Sequence, residues 1–287
     1  MQFPDSSRFH IIDADRVRPR FGRISSRPIY VYLPEAAEQD HRRRFPVVYC
    51  QDGQNIWDDP DACFGHGGWC LNRTADHLAE EEKIEPVILV GIPNSDERYR
   101  DYMPRKSFDD ILDHPYANFV CDVVKRYVDR HFPTKRDRQH TALLGSSLGG
   151  LVSLWMAHKL PETFGRAACL SGAFQVRGSF PDFLSRTPHQ NVRVYLDSGT
   201  VDDGSKLTRK VAAIYRARGW RDGVDLMHFE EKGGEHNERY WRERAWRALT
   251  FLFGVPASRH CSGSRGLSRN VTGLSNSARA VGGEKTH

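Results

Sequence analysis

The chain reads as an α/β protein, a mainly parallel central sheet with helices on both faces. Three observations carry that reading. Short, continuous apolar runs alternate with segments of helical spacing, the pattern made by crossover connections between parallel strands. One such run, Ala142-Leu143-Leu144, stops abruptly in Gly145-Ser146-Ser147-Leu148-Gly149, and a helical segment follows at once. Polar, Gly-containing turns follow several runs, at the edge where open α/β sheets place their sites.

Taken in order, the residues to about Arg20 form an initial strand or arm. Arg27 to Pro34 alternates and is rich in β-branched and aromatic residues, a strand ended by proline. Glu35 to Arg44 is a charged surface excursion. Phe45 to Gln51 and Pro86 to Ile92 are continuous apolar runs, typical of strands buried on both faces. Between them lie a turn (Asp52-Gly53-Gln54-Asn55), a long loop (Ile56 to Trp69) and a helix (Leu71 to Lys83). Tyr116 to Phe132 is a helix with Phe119, Val120, Val123, Val124, Tyr127 and Val128 on one face. The serine-bearing strand follows, then helix Leu148 to Leu160, strand Arg166 to Gly172 and a loop-like segment, Ala173 to Gln190. Strand Asn191 to Asp197, helix Lys206 to Arg218, strand Val224 to Glu230 and an amphipathic helix, Asn237 to Phe253, complete a single domain over residues 1–256. Residues 257–287 are rich in Ser, Gly and Arg and carry too little apolar surface to offset ordering, so a disordered tail is expected.

Composition narrows the function. The 42 basic and 37 acidic residues give +5, with part of the excess in the tail and the rest interleaved, so no nucleic-acid partner is indicated. No apolar run is long enough to cross a membrane, and the N-terminus lacks the basic and apolar regions of a secretory leader. A cytoplasmic location is expected. The six cysteines show no C-x-x-C pair. Cys50, Cys121 and Cys169 fit buried free thiols, and only Cys63 and Cys70 could bracket a loop. Metal-ligand spacings and phosphate-cradling loops are absent, so neither metal nor cofactor is called for. Asn270-Val-Thr272 matches a glycosylation acceptor without a secretory context.

The chemistry centres on Gly145-x-Ser147-x-Gly149, the pattern of a nucleophile elbow. A serine hydroxyl becomes a useful nucleophile when a sharp strand-to-helix turn projects it toward a base. Glycines two residues to either side remove side chains that would collide. In sheets carrying this elbow an acid follows after a later strand and a histidine after the last. Leu196 to Gly204 supplies Asp202 and Asp203 in a turn beyond a strand, and spacing does not separate them; Asp197 still lies inside the strand. Glu230 to His236 places His236 after a Gly-Gly loop. Of the 13 histidines only His236 has both the loop position and the order. The backbone N–H groups of Leu148 and Gln54, with Gly53 as the alternative to Gln54, are the candidate oxyanion donors. Trp57, Phe64 and Trp69 suggest an aromatic pocket wall.

Several stretches carry a family resemblance in a fixed order. They are Tyr30-Val-Tyr-Leu-Pro34, Pro46-Val-Val-Tyr-Cys-Gln-Asp-Gly-Gln-Asn55, Val90-Gly-Ile-Pro-Asn94 with Arg98 and Tyr102, Gly145-Ser-Ser-Leu-Gly-Gly150, Gly199-Thr-Val-Asp202, and Gly234-Glu-His236 with Trp241. Spanning about residues 27 to 254, the set resembles the putative esterase family of α/β hydrolases. That family holds esterase D-like enzymes, enterochelin esterases, feruloyl esterase domains and mycolyltransferases.

The resemblance implies the α/β-hydrolase fold and a serine carboxylesterase acting on a small-molecule ester through an acyl-enzyme. It implies Ser147, Asp202 and His236 as the triad, selecting Asp202 over Asp203. It places the Asp52–Asn55 turn beside the oxyanion hole and Trp69, Asn94 and Arg98 in the substrate pocket. Gln51-Asp52-Gly53 departs from the His-Gly-Gly of many family members, and the missing leader argues against cell-wall-directed substrates. Two other functions fit the chain: acyl transfer to an acceptor other than water, and a non-catalytic binding module on the same scaffold.

Overall fold

In a computed structural model the chain is described at residues 7–19, 24–58, 66–104, 107–109, 111, 114–176 and 179–255. Eight strands form one sheet: β1 (Phe9–Ile12), β2 (Ile29–Tyr32), β3 (Val47–Gln51), β4 (Ile88–Ile92), β5 (Thr141–Ser146), β6 (Arg166–Leu170), β7 (Arg193–Gly199) and β8 (Leu226–Glu231), in the order β1-β2-β4-β3-β5-β6-β7-β8. β1 and β2 are antiparallel to their neighbours, and β4, β3, β5, β6, β7 and β8 run parallel. From β3 the chain steps to one side to form β4, then crosses to the other to form β5. That reversal sets the loops after β3 and β5 side by side at the carboxyl edge.

The continuous apolar runs are explained by burial on both faces. Along β3, Val47 and Tyr49 face one core cluster while Val48 and Cys50 face the other. The first core holds helix Ser147–Lys159, whose residues from Gly149 to His158 are all buried, and helix Ser205–Ala217. The second holds Leu71, Ala75 and Leu78 of helix Leu71–Glu80, with Trp241, Ala245, Ala248, Leu249 and Leu252 of the last helix, Glu238–Phe253.

Several elements differ from the sequence expectation. The segment Ala173–Gln190 is not all loop, because Phe180–Arg186 is helical and the Ser179 side chain accepts from the Asp182 N–H at its start. The segment expected as one helix from Tyr116 to Phe132 is continuously helical from Pro115 to His131, with π-helical winding over Phe119–Lys125 between α-helical ends. A short helix, Arg98–Tyr102, lies where no helix was expected. The tail expectation for 257–287 falls outside the described residues. Among the described residues no helix is long and apolar enough to cross a membrane.

Candidate active site

Ser147 is the first residue of its helix and has φ +54, left-handed backbone that a side chain rarely adopts. The turn is as tight as the glycine pattern requires. A Cβ on Gly145 would lie 2.5 Å from the Gly149 carbonyl carbon, and one on Gly149 would lie 2.8 Å from Asp52 Oδ2. The strained backbone leaves Ser147 partly exposed between a buried strand and a buried helix. Leu148 sits in the first helical turn, where N–H groups have no intrahelical acceptor.

The candidate base and its candidate acid come from two loops held together by backbone bonds. The Thr200 N–H donates to Glu231 O at 3.1 Å and the Val201 N–H to Gly234 O at 3.0 Å. The contact is so close that a Cβ on Gly199 would sit 2.1 Å from Gly234 O. His236 Nδ1 then lies 2.6 Å from Oδ1 of Asp203, not of Asp202. The expected pairing with Asp202 is corrected on geometric grounds. Asp202 forms the corner of the turn, with φ +46, and is exposed, while the following residue is thrown back inward and is only 3% exposed. A sequence pattern does not reveal which of two adjacent aspartates takes the left-handed corner.

Asp203 is densely bonded. Its Oδ2 accepts from Ser171 Oγ at 2.6 Å and from the Gly199 N–H, and Arg244 Nη2 lies 3.1 Å away. Burial alone pushes its carboxyl up, but bonds from His236, Ser171 and Gly199, with the Arg244 charge, outweigh burial and hold it below the usual carboxylate range. His236 also packs edge-on against Trp241, ring centroids 5.1 Å apart, and Trp241 Nε1 donates to Ser171 Oγ at 2.8 Å. Ser171, Trp241 and Arg244 are site residues that motif reading did not assign to the acid.

On the other side of the elbow, the turn after β3 is organised by Asp52, itself at φ +53. Arg98 donates from Nε to Oδ1 at 2.6 Å and from Nη2 to Oδ2 at 2.7 Å, and Asn94 Nδ2 donates to Oδ1 at 2.7 Å. Tyr102 Oη donates to Oδ1 at 3.3 Å and accepts from the Asp52 N–H at 3.0 Å. Burial lowers the Arg98 guanidinium pKa, but the bonds and charge of Asp52 outweigh it and raise the pKa. Asn94 and Arg98, expected in the substrate pocket, spend those donors on Asp52. The Gly53 N–H donates to Ile92 O at 2.8 Å and is not available to substrate. Gln54 Oε1 accepts from the Asn94 N–H at 3.1 Å, which fixes Gln54 to the same brace.

Trp69 does not line an open wall. It is 3% exposed and packs on Trp241, ring centroids 5.8 Å apart. Trp57 is also buried, and Phe64 lies outside the described residues. Other histidines have structural partners: His114 contacts Met103 O, His158 sits between Gln190 and Tyr215, and His140 pairs with Asp137. Cys70 is a free thiol, as are Cys50, Cys121 and Cys169, while Cys63 lies outside the described residues.

Comparison with known proteins identifies the family and the fold. The family described as "Putative esterase" matches residues 24–252. An uncharacterized Bacillus subtilis protein, YbbA, is 22% identical over 81% of this chain and 94% of its own length. The iron(III) salmochelin esterase of Escherichia coli O6:H1 is 28% identical over 76% of this chain, and an endo-1,4-beta-xylanase/feruloyl esterase of Xylanibacter ruminicola is 24% identical over 78%. The chain spans 52% of the former and 29% of the latter. Among solved structures, a ferulic acid esterase superposes with TM-score 0.62 at 17% identity, covering 86% of this chain and 98% of its own. The Shigella flexneri enterobactin esterase superposes with TM-score 0.64 at 18% identity, covering 88% and 60%. The fold is that of the α/β hydrolases, and the chain belongs to the putative esterase family, hydrolases of carboxylic ester bonds.

Proposed function

We propose that this protein is a serine esterase in which Ser147 attacks the ester carbonyl, His236 takes and returns the proton, and Asp203 orients the imidazole. The observation that carries the reading is the Asp203–His236 contact at 2.6 Å, in a loop pair at the same sheet edge as the strained Ser147. With Nδ1–H donated to Asp203, the neutral imidazole presents Nε2 as acceptor for a serine proton. The oxyanion of the tetrahedral intermediate is received by the N–H groups of Leu148 and Gln54, the latter fixed by the Asp52 brace. Collapse expels the alcohol, protonated by His236, and leaves an acyl-serine. A water deprotonated by His236 then releases the acid.

The substrate is a small-molecule ester. Relatives named for ferulic acid, salmochelin and enterobactin motivate an aryl ester among the test compounds. The free thiols suit a reducing cytoplasm. Hydrolysis of p-nitrophenyl acetate, butyrate and octanoate and of methyl ferulate, by wild type and Ser147→Ala, tests the reading. Turnover by wild type that disappears in the variant supports it. Equal rates in the two proteins, or none in either with both folded, reject it.

A further inference from the structure

Beneath the Asp203–His236 pair lies a charged group of side chains that the reaction does not itself use. Arg244 of the last helix is fully buried. Its Nη2 lies 3.1 Å from Asp203 Oδ2, and its Nε lies 3.0 Å from Oδ1 of Asp197, also fully buried. Nη2 also donates to Ser171 Oγ, the hydroxyl that donates to Asp203. Asp197 is held by Tyr195 Oη at 2.9 Å and by the Ser171 N–H at 3.2 Å. One guanidinium therefore sits between two buried carboxylates, and only one of them touches the imidazole.

A buried cation with two buried anions is costly to assemble and contributes little net stability. Its placement suggests a role in the reaction rather than in folding alone. A carboxylate can orient an imidazole in the correct tautomer only while it is ionised, and burial opposes that ionisation. We propose that Arg244 is a positioning residue which keeps Asp203 ionised under His236, with Asp197 as its counter-charge. The inference rests on the roles proposed above for Ser147, His236 and Asp203. Groups facing Asp203 are His236 from the loop after β8, Arg244 from the last helix, Asp197 from β7 and Cys169 from β6; Tyr195 and Arg247 face the Asp197 side. Burial pushes Asp197 up to about 6, partly offset by Arg244 and Tyr195, so above that pH the guanidinium faces two negative charges.

Removing the cation raises the proton affinity of the Asp203–His236 pair as a unit, and the protonated pair cannot act as base. The test is the pH dependence of labelling of the full-length protein by a fluorophosphonate probe, which reads serine activation without a known substrate. Labelling of wild type but not of Ser147→Ala upholds the proposed function; any other pattern rejects that function and this inference together. With it upheld, Arg244→Met is expected to shift the acid limb of the labelling rate upward by about one pH unit. That is about tenfold slower labelling at a given pH on the limb, narrowing as pH rises. Arg244→Lys, which keeps the charge, returns the limb toward wild type. An unmoved limb, or a loss of equal size at every pH, overturns the inference and leaves Arg244 a structural support. If Arg244→Met does not fold, Arg244→Met/Asp197→Asn removes one charge of each sign. The limb then shifts the same way by less, since the lost cation is the one in contact with Asp203, and an unmoved limb again overturns the inference.

Discussion

Two carboxylates flank the serine elbow, and their surroundings differ in one respect. Asp52 and Asp203 are both buried at turns beyond parallel strands, and both are held by an arginine. Asp52 spends its oxygens on Arg98, Asn94 and Tyr102, all at the turn after β3 or just beyond β4. Asp203 spends Oδ2 on Ser171, Gly199 and Arg244 but gives Oδ1 to His236, the one partner able to carry a proton elsewhere. In the proposed mechanism the same residue type serves as a brace on one side and as an orienting acid on the other. Which role it takes is set by a single neighbour.

The largest effect that sharpens this contrast is on the proton-carrying side. His236→Ala is expected to lower kcat by about six orders of magnitude, and combining it with Ser147→Ala should add almost nothing, because the two act as one unit. Steady-state kinetics on a p-nitrophenyl ester reads both. On the brace side, Asp52→Ala leaves the part-buried Arg98 without its partner and is expected to destabilise the fold by about 3 kcal/mol. It should also slow turnover by about a hundredfold as the Gln54 N–H moves, far less than loss of the base. Urea unfolding together with kcat on the same variant separates the two contributions. A rate loss as large as that of His236→Ala would break the contrast.

Smaller effects probe the supports. Trp241→Phe keeps the ring against His236 but leaves Ser171 one donor short, with an expected cost of about 1 kcal/mol and a rate within tenfold of wild type. For Asp197 the sign is fixed by its raised pKa. The folded protein holds a proton there, up to about pH 6, that the unfolded chain has already released. The group's contribution to stability therefore falls as pH rises from its unfolded value to about 6. The stability of wild type relative to Asp197→Asn should fall over that window and level off above it, as measured by urea unfolding at a series of pH values.

The mainly parallel sheet, the places of its strands along the chain and the elbow were legible in the sequence because they rest on local signals. Buried parallel strands leave unbroken apolar runs, and a serine turned at φ +54 needs glycines around it. Asp203 was not separable from Asp202, because the choice depends on which residue takes the positive φ. Trp69 was assigned to a pocket because aromatics in a loop look alike whether they line a wall or pin the loop to the core. The Phe180–Arg186 helix was hidden by Ser179 and Pro181, which read as loop yet here form the N-cap and the first turn of a helix. Arg244 did leave a signal. It shares the buried helical stripe of Trp241, Ala245, Ala248 and Leu252, where a charge requires a buried partner.

Two parallel variants decide whether Asp203, held beneath His236, is the acid of the site. kcat for p-nitrophenyl butyrate should fall about ten-thousandfold in Asp203→Asn and stay within about threefold of wild type in Asp202→Asn. The reverse ranking, or equal small losses in both folded proteins, would contradict the account.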